Sequence, residues 1–410
     1  MRNRTFRQIL VLAFFLVPAC SRHEDPNRVV IWHQMRVDER VILERQLSEY
    51  MSMHPGIRVE QLYKETEELR SGFIIASIAG QGPDLVYGPS DMIGPFKVME
   101  IIRPLDTLFS REYLDLFIPE ALTYHEGGLY QIADKLGNHL TLVYNKELVS
   151  TPPATDLELL ELGEQLTVDI NGDGKTDRYA LAWNYTEPFF FIPFLTGFGG
   201  WVMDEDGAPT LDSGAMVEAL RFIQDLRDRY RIVPGEADYN IADILFKDGK
   251  SAMIINGDWS WAGYQKAGID IGVAPLPLMT ATGLYCEPMV SPKGFSVNIN
   301  VPEAKLELVL DVLRFLMEPE RQLETARALK TMPTRVEAVS SSFVQNDEIL
   351  RNSAIQISRG RPMPVVAELR AIWDAMRPGY QAVLGGSLTP QEAADAMQAL
   401  ALTKIREMNE

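Results

Sequence analysis

From Arg28 onward the chain alternates in a way that few architectures accept. "RVVIWH" is a short run of strand character, and a helix is predicted from about Asp38 to Met53, with Val41, Leu43, Leu47, Tyr50 and Met51 in three- and four-residue steps. His54-Pro55-Gly56 breaks it. "IRVEQLY" is a second strand, Ser71 to Ala79 a second helix and "PDLVYG" a third strand. A β-α-β-α-β order needs crossover connections, so the expected fold class is α/β, a parallel sheet covered by helices. Ligands of such sheets sit beyond the carboxyl ends of the strands, which here are His33-Gln34 and Tyr87-Gly88.

A chain of 410 residues is too long for one hydrophobic core, so two domains are expected. Its net charge of −18 opposes binding to nucleic acid or anionic lipid through a basic surface. Strand signals recur in "GLYQIADKLGNHLTLVYN", "SAMIING", "IDIGVAPLP" and "GFSVNIN". Helices are predicted near Gly214 to Tyr230, from Pro302 to about Leu316, and from Thr389-Pro390-Gln391-Glu392, where a Thr cap, a first-turn Pro and a capping-box Glu coincide. There is no internal repeat.

The first nineteen residues read as a targeting segment. Arg2, Arg4 and Arg7 precede an apolar run from Ile9 to Val17, too short for a stable membrane anchor. The run ends at Val17-Pro18-Ala19-Cys20, which resembles the lipobox of bacterial lipoproteins. The resemblance implies cleavage before Cys20, acylation of its thiol, and an exported protein held at a membrane, with residues 20–27 as a tether. Residue Cys286 is then left without a disulfide partner and reads as a small buried side chain.

"HPGIRVE", "GQGPDLVYGPSD", "LTLVYNKEL", "NYTEPFFFIPFLTGFGG", "LFKDGKSAMIINGDWSWAGY" and "AIWDAMR" occur in the order found in maltose-binding-protein-like solute-binding proteins of ABC transporters. The resemblance spans nearly the whole mature chain. It implies a two-lobed periplasmic-binding-protein fold of type II, with the ligand in the interlobe cleft. The lobes would comprise residues 28–138 with 288–344, and 139–287 with 345–410. The chain would cross between them near Gly137 to Leu140, Glu287 to Ser291 and Val344 to Ile349. What is implied is a monomeric receptor without catalytic chemistry, which closes on a carbohydrate and docks on an ABC permease.

Candidate binding residues follow from that likeness and from side-chain chemistry. Trp259 matches the family's sugar-stacking tryptophan, whereas Trp261, two residues on, faces elsewhere and is assigned to core. An indole face packs against the C–H patches of a sugar while polar groups fix its hydroxyls. Trp373 and Arg377 share a helix face at i, i+4. That pair suits a polyhydroxy ligand, a carboxylate or a phosphate; read without the family, Arg377 pairs with Asp374 or a neighbouring acid. Phe189 stands where close relatives present a stacking tyrosine, with Glu187 beside it, and Phe190 and Phe191 are assigned to core. Asp91 matches a carboxylate that accepts from sugar hydroxyls. Tyr87, Gln34 and Asn138 occupy loop positions that face the cleft in the family, or else solvent. Gly88, Met92 and Asn138 depart from the maltose pattern, replacing a tryptophan, an arginine and a glutamate. That shifts the expectation toward another mono- or oligosaccharide, a polyol phosphate or a sugar acid.

No cofactor is required. "DINGDGKTD" places Asp169, Asn171, Asp173 and Asp177 at positions 1, 3, 5 and 9 of a calcium loop, with the Lys175 carbonyl at position 7, but position 12 is Ala180. The same residues also form an ion-free Asx-rich turn. Two other function classes stay open at this level: a sensory ligand-binding partner, which would use the same cleft, and a secreted glycosidase with Glu187 and Asp91 as its carboxylates. No HExxH, GxSxG or CxxC stands in the chain.

Overall fold

The computed structural model describes residues 25–409. The targeting segment and Cys20 lie outside the described residues. Among those described, no helix is long and apolar enough to cross a membrane.

Two sheets organise the chain. In the first, the strands Arg28–His33, Arg58–Tyr63 and Leu85–Pro89 run parallel, as the alternation requires. The sheet then continues with Met289–Val297, Gly128–Gly137 and Met332–Pro333, all joined antiparallel. The second sheet orders Tyr179–Ala182, Ser251–Gly257, Leu140–Asn145 and Ile271–Ala274. Its central strands are buried almost throughout, the signature of a sheet covered on both faces.

Each sheet has its own core. Val29, Ile31, Leu85, Phe295 and Leu310 belong to the core of the first. Leu142, Leu181, Ile254, Trp261 and Tyr380 belong to that of the second. Between them a smaller cluster of Leu136, Val290, Met332, Val344 and Leu350 sits where the chain passes from one lobe to the other. Gly137 and Asn138, at φ 150° and 40°, make the first passage. A left-handed asparagine is the sterically tolerated choice there.

Local signals explain most elements. The first long helix is Val37–Met53. The second is Thr66–Ile78, beginning well before Ser71. Its first turn, Thr66-Glu67-Glu68, has no apolar periodicity but carries acids that suit a helix N-terminus, and the Glu65 side chain caps the Glu67 N–H. The final helix starts on the expected capping box: Glu392 N–H donates to Thr389 Oγ1 at 3.3 Å, and Thr389 N–H donates to Glu392 Oε2 at 2.9 Å. Cys286 is free and buried, and burial pushes its thiol pKa up.

Candidate functional site: the interlobe cleft

A cavity of about 560 Å³ lies between the two sheets. The lobes furnish it differently. The second lobe supplies every aromatic ring of its lining: Phe189, Phe190, Tyr239, Trp259 and Trp373. The first supplies polar and charged groups, among them Gln34, Arg36, Glu39, Arg70, Asp91 and Lys293. Apolar faces opposite hydrogen-bonding groups match a ligand with both C–H patches and hydroxyls.

Trp259 and Trp261 resolve as the sequence implies. Trp261 is fully buried in the second core, while Trp259 is half-buried and lines the cavity. Its ring is held by a hydrogen bond from Nε1 to the Tyr239 hydroxyl at 3.1 Å, and by Phe189 and Phe190 at centroid distances of 6.3 and 6.5 Å. Gly257 is required beside it, because a Cβ there would lie 2.1 Å from the indole. Trp373 projects from the helix Glu368–Leu384 and keeps 8% of its surface exposed.

Eight of the nine ligand-binding candidates line this cavity: Trp259, Trp373, Arg377, Phe189, Asp91, Glu187, Gln34 and Asn138. Tyr87 does not. Its strand turns it inward, where it is 1% exposed, packs on Phe295 at 4.7 Å and donates its hydroxyl to Asp134 at 2.9 Å. Phe190, assigned to core, lines the cavity although it is almost fully buried. Periodicity across three consecutive phenylalanines cannot separate their directions, because Pro188–Phe190 is a single 3₁₀ turn.

The charged candidates are already partnered. Arg377 holds Glu187 in a two-point contact, at 3.0 and 3.3 Å, and donates to Asp374 at 3.2 Å. Asp91 is ion-paired with Arg70, yet its Oδ1 has no partner and neither does Gln34 Oε1. These two buried acceptors need donors, and saccharide hydroxyls are donors. The departures at Gly88 and Met92 fit each other: a Cβ at Gly88 would strike the Met92 sulfur at 2.2 Å. No aromatic wall therefore rises from this side.

Sequence reasoning missed Arg36, Tyr239 and Lys293. Arg36 and Lys293 form no ion pair among the described residues, and each lies over a ring of the opposite lobe: Arg36 over Tyr239 at 4.9 Å, Lys293 over Trp259 at 5.1 Å. The usable signal for Lys293 was a lysine inside a strand that is otherwise free of charge. Two ion pairs, Glu67–Arg370 and Asp38–Lys266, also span the lobes.

The loop Asp169–Asp177 turns its oxygens toward its own backbone. Asp169 accepts from the N–H groups of Gly172 and Gly174 at 2.7 and 2.8 Å, Asn171 from Asp173 at 2.9 Å, Asp173 from the Lys175 N–H at 2.9 Å, and Asp177 from Ile170 at 2.7 Å. Among the described residues no group of three or more His, Cys, Asp or Glu side chains is placed to hold a metal.

Residues 46–352 match the family model for bacterial extracellular solute-binding proteins. The chain belongs to that family. This solute-binding protein is 46% identical to the maltose/maltodextrin-binding domain MalE from Bdellovibrio bacteriovorus, whose structure holds maltotriose. The alignment covers 92% of this chain and 100% of that one, with a TM-score of 0.89. It is 28% identical to the maltotriose-binding protein of Pyrococcus abyssi, over 87% of this chain and 78% of the relative. It is 25% identical to a maltooligosaccharide ABC transporter solute-binding lipoprotein of Streptococcus pneumoniae, over 78% and 76%. Like the Bdellovibrio domain, this solute-binding protein has the two-lobed α/β fold.

Proposed function

We propose that the protein captures a short linear maltooligosaccharide between its lobes and delivers it to an ABC permease, from an exported position held at the membrane through Cys20. The observation that carries this reading is the two-sided cavity, with aromatic faces on one lobe and orphaned acceptors, Gln34 Oε1 and Asp91 Oδ1, on the other. Its volume falls within the range of small-ligand sites. The relatives that bind maltotriose or transport maltooligosaccharides support the choice of sugar. In this reading Trp259, Trp373 and Phe189 stack on glucose units, while Asp91, Gln34, Glu187, Arg377 and Asn138 address hydroxyls. The protein acts as a monomer, needs no cofactor and performs no covalent chemistry.

A saccharide that touches both lobes favours the closed arrangement by its differential contacts. The polyol-phosphate and sugar-acid alternatives lose their main support, because Arg377 is already neutralised by Glu187 and Asp374. The glycosidase alternative weakens likewise, since Glu187 and Asp91 are both ion-paired. Calorimetric titration with maltose, maltotriose, maltotetraose and a sugar acid tests the reading. Saturable binding of maltotriose supports it, and absence of binding to all the neutral members overturns it.

A further inference from the structure

Lys293 carries an ammonium group that the fold has placed with care and left unpaired. The side chain is 9% exposed, lines the cavity and forms no hydrogen bond or ion pair among the described residues. Its three N–H donors find no acceptor on the protein and open onto the cavity. A largely desolvated charge gains when an acceptor reaches it.

The backbone shows how it is aimed. Lys293 pairs with Lys135 on the neighbouring strand and Gly294 with Ala133, so Asp134 is an extra residue and the ladder bulges there. A bulge increases twist and redirects the side chains next to it. Gly294 permits the close approach, since a Cβ would lie 2.3 Å from the Ile132 carbonyl oxygen. The neighbouring acids do not satisfy the ammonium. Glu39 is ion-paired with Lys135, and Asp134 accepts from the Tyr87 hydroxyl. Asp258 acts on the ammonium without forming an ion pair with it, and the face of Trp259 lies 5.1 Å from Lys293 Nζ.

We propose that Lys293 is a saccharide-binding residue, which leaves the indole face when a sugar stacks on Trp259 and donates to oxygen atoms of that same sugar unit. This rests on the reading of the cleft as a maltooligosaccharide site. A stacked glucose takes the place of the ammonium over the ring, and its hydroxyl and ring oxygens are acceptors for the displaced N–H groups. The residue thereby ties a first-lobe strand to a sugar held by the second lobe. Burial lowers the Lys293 pKa, while Glu39 and Asp258 oppose that fall.

Maltotriose titrations of the wild type, Lys293→Met and Lys293→Arg form the test, with ligand-free melting temperatures as the folding control. Methionine keeps the apolar stem and removes the donors. Lys293→Met is expected to weaken maltotriose binding at least about ten-fold, the scale of a lost charge-assisted hydrogen bond, with partial recovery in Lys293→Arg. A cycle with Trp259→Phe should be non-additive, because both side chains address one sugar unit. Equal or tighter binding by folded Lys293→Met overturns the proposal, since it would mean the ammonium only competes for the indole. Should the wild type bind no maltooligosaccharide, the reading of the cleft fails first and this assignment falls with it.

Discussion

Glu67 on the first lobe and Arg370 on the second form an ion pair across the mouth of the cleft. Both side chains remain substantially solvated, at 48% and 38% exposed. Such a pair contributes little to global stability, at most about 1 kcal/mol, and weakens with salt. Its position gives it leverage on the lobe arrangement instead. Glu67→Gln is expected to leave the melting temperature almost unchanged and to raise the ligand-free radius of gyration measured by solution scattering. An unaltered scattering curve would show that the pair does not bias closure.

The stacking role proposed for Trp259 has a direct test. Replacing it by alanine removes an aromatic face from the cavity without breaching the second core, where Trp261 stays sealed. Maltotriose affinity is expected to fall by about 1–3 kcal/mol, the scale of a lost aromatic anchor. Calorimetry on Trp259→Ala and Trp261→Phe should separate the two residues, the first losing affinity and the second mainly stability.

Gly94 offers a way to obstruct closure. A Cβ on this residue would lie 2.6 Å from the Val365 carbonyl oxygen and 2.9 Å from the Val366 carbonyl carbon. Both obstacles are backbone of the segment leading into the helix that carries Trp373. Gly94→Ala therefore forces that segment away from the first lobe. The expected result is weaker maltotriose binding through a slower association or faster release in stopped-flow fluorescence. Wild-type kinetics in this variant would mean the contact yields freely.

His139 makes folding sensitive to acid. It stands in the first crossing, fully buried, with Nε2 3.2 Å from Ser353 Oγ and its ring edge-on to Trp261. Burial lowers its pKa from 6.5 to about 4, with Asp258 opposing the fall. The unfolded chain therefore takes up this proton between pH 6.5 and 4 while the folded protein does not. Stability is lost as pH drops through that window, by about 3 kcal/mol for this group alone. Urea unfolding at pH 7 and 4.5 should show a smaller acid penalty in His139→Gln than in the wild type. An equal penalty in both would place the acid sensitivity elsewhere.

Much of this site was written locally. The i, i+4 spacing of Trp373 and Arg377 and the likeness of ordered blocks placed eight residues at the cavity. What stayed hidden depends on partners distant in the chain. Tyr87 is drawn inward by Asp134, forty-seven residues later. Arg377 is neutralised by Glu187, 190 residues earlier. Lys293 sits at a bulge against the strand Gly128–Gly137, a register that the pairing of two distant strands decides. Helix starts were legible where a cap and apolar period coincide, as at Thr389, and blurred where a polar first turn precedes the period, as at Thr66.

The strand Met289–Val297 lies in the middle of the first sheet, between Leu85–Pro89 and Gly128–Gly137, although it comes some two hundred residues after the former in the chain. A polypeptide emerging from the ribosome thus holds an unfinished first lobe, with an open seam at its centre, until nearly three quarters of its length is made. Long-range pairing of this kind closes slowly. The first lobe can therefore complete its sheet only once this late strand has been made, and most of the chain must wait for it.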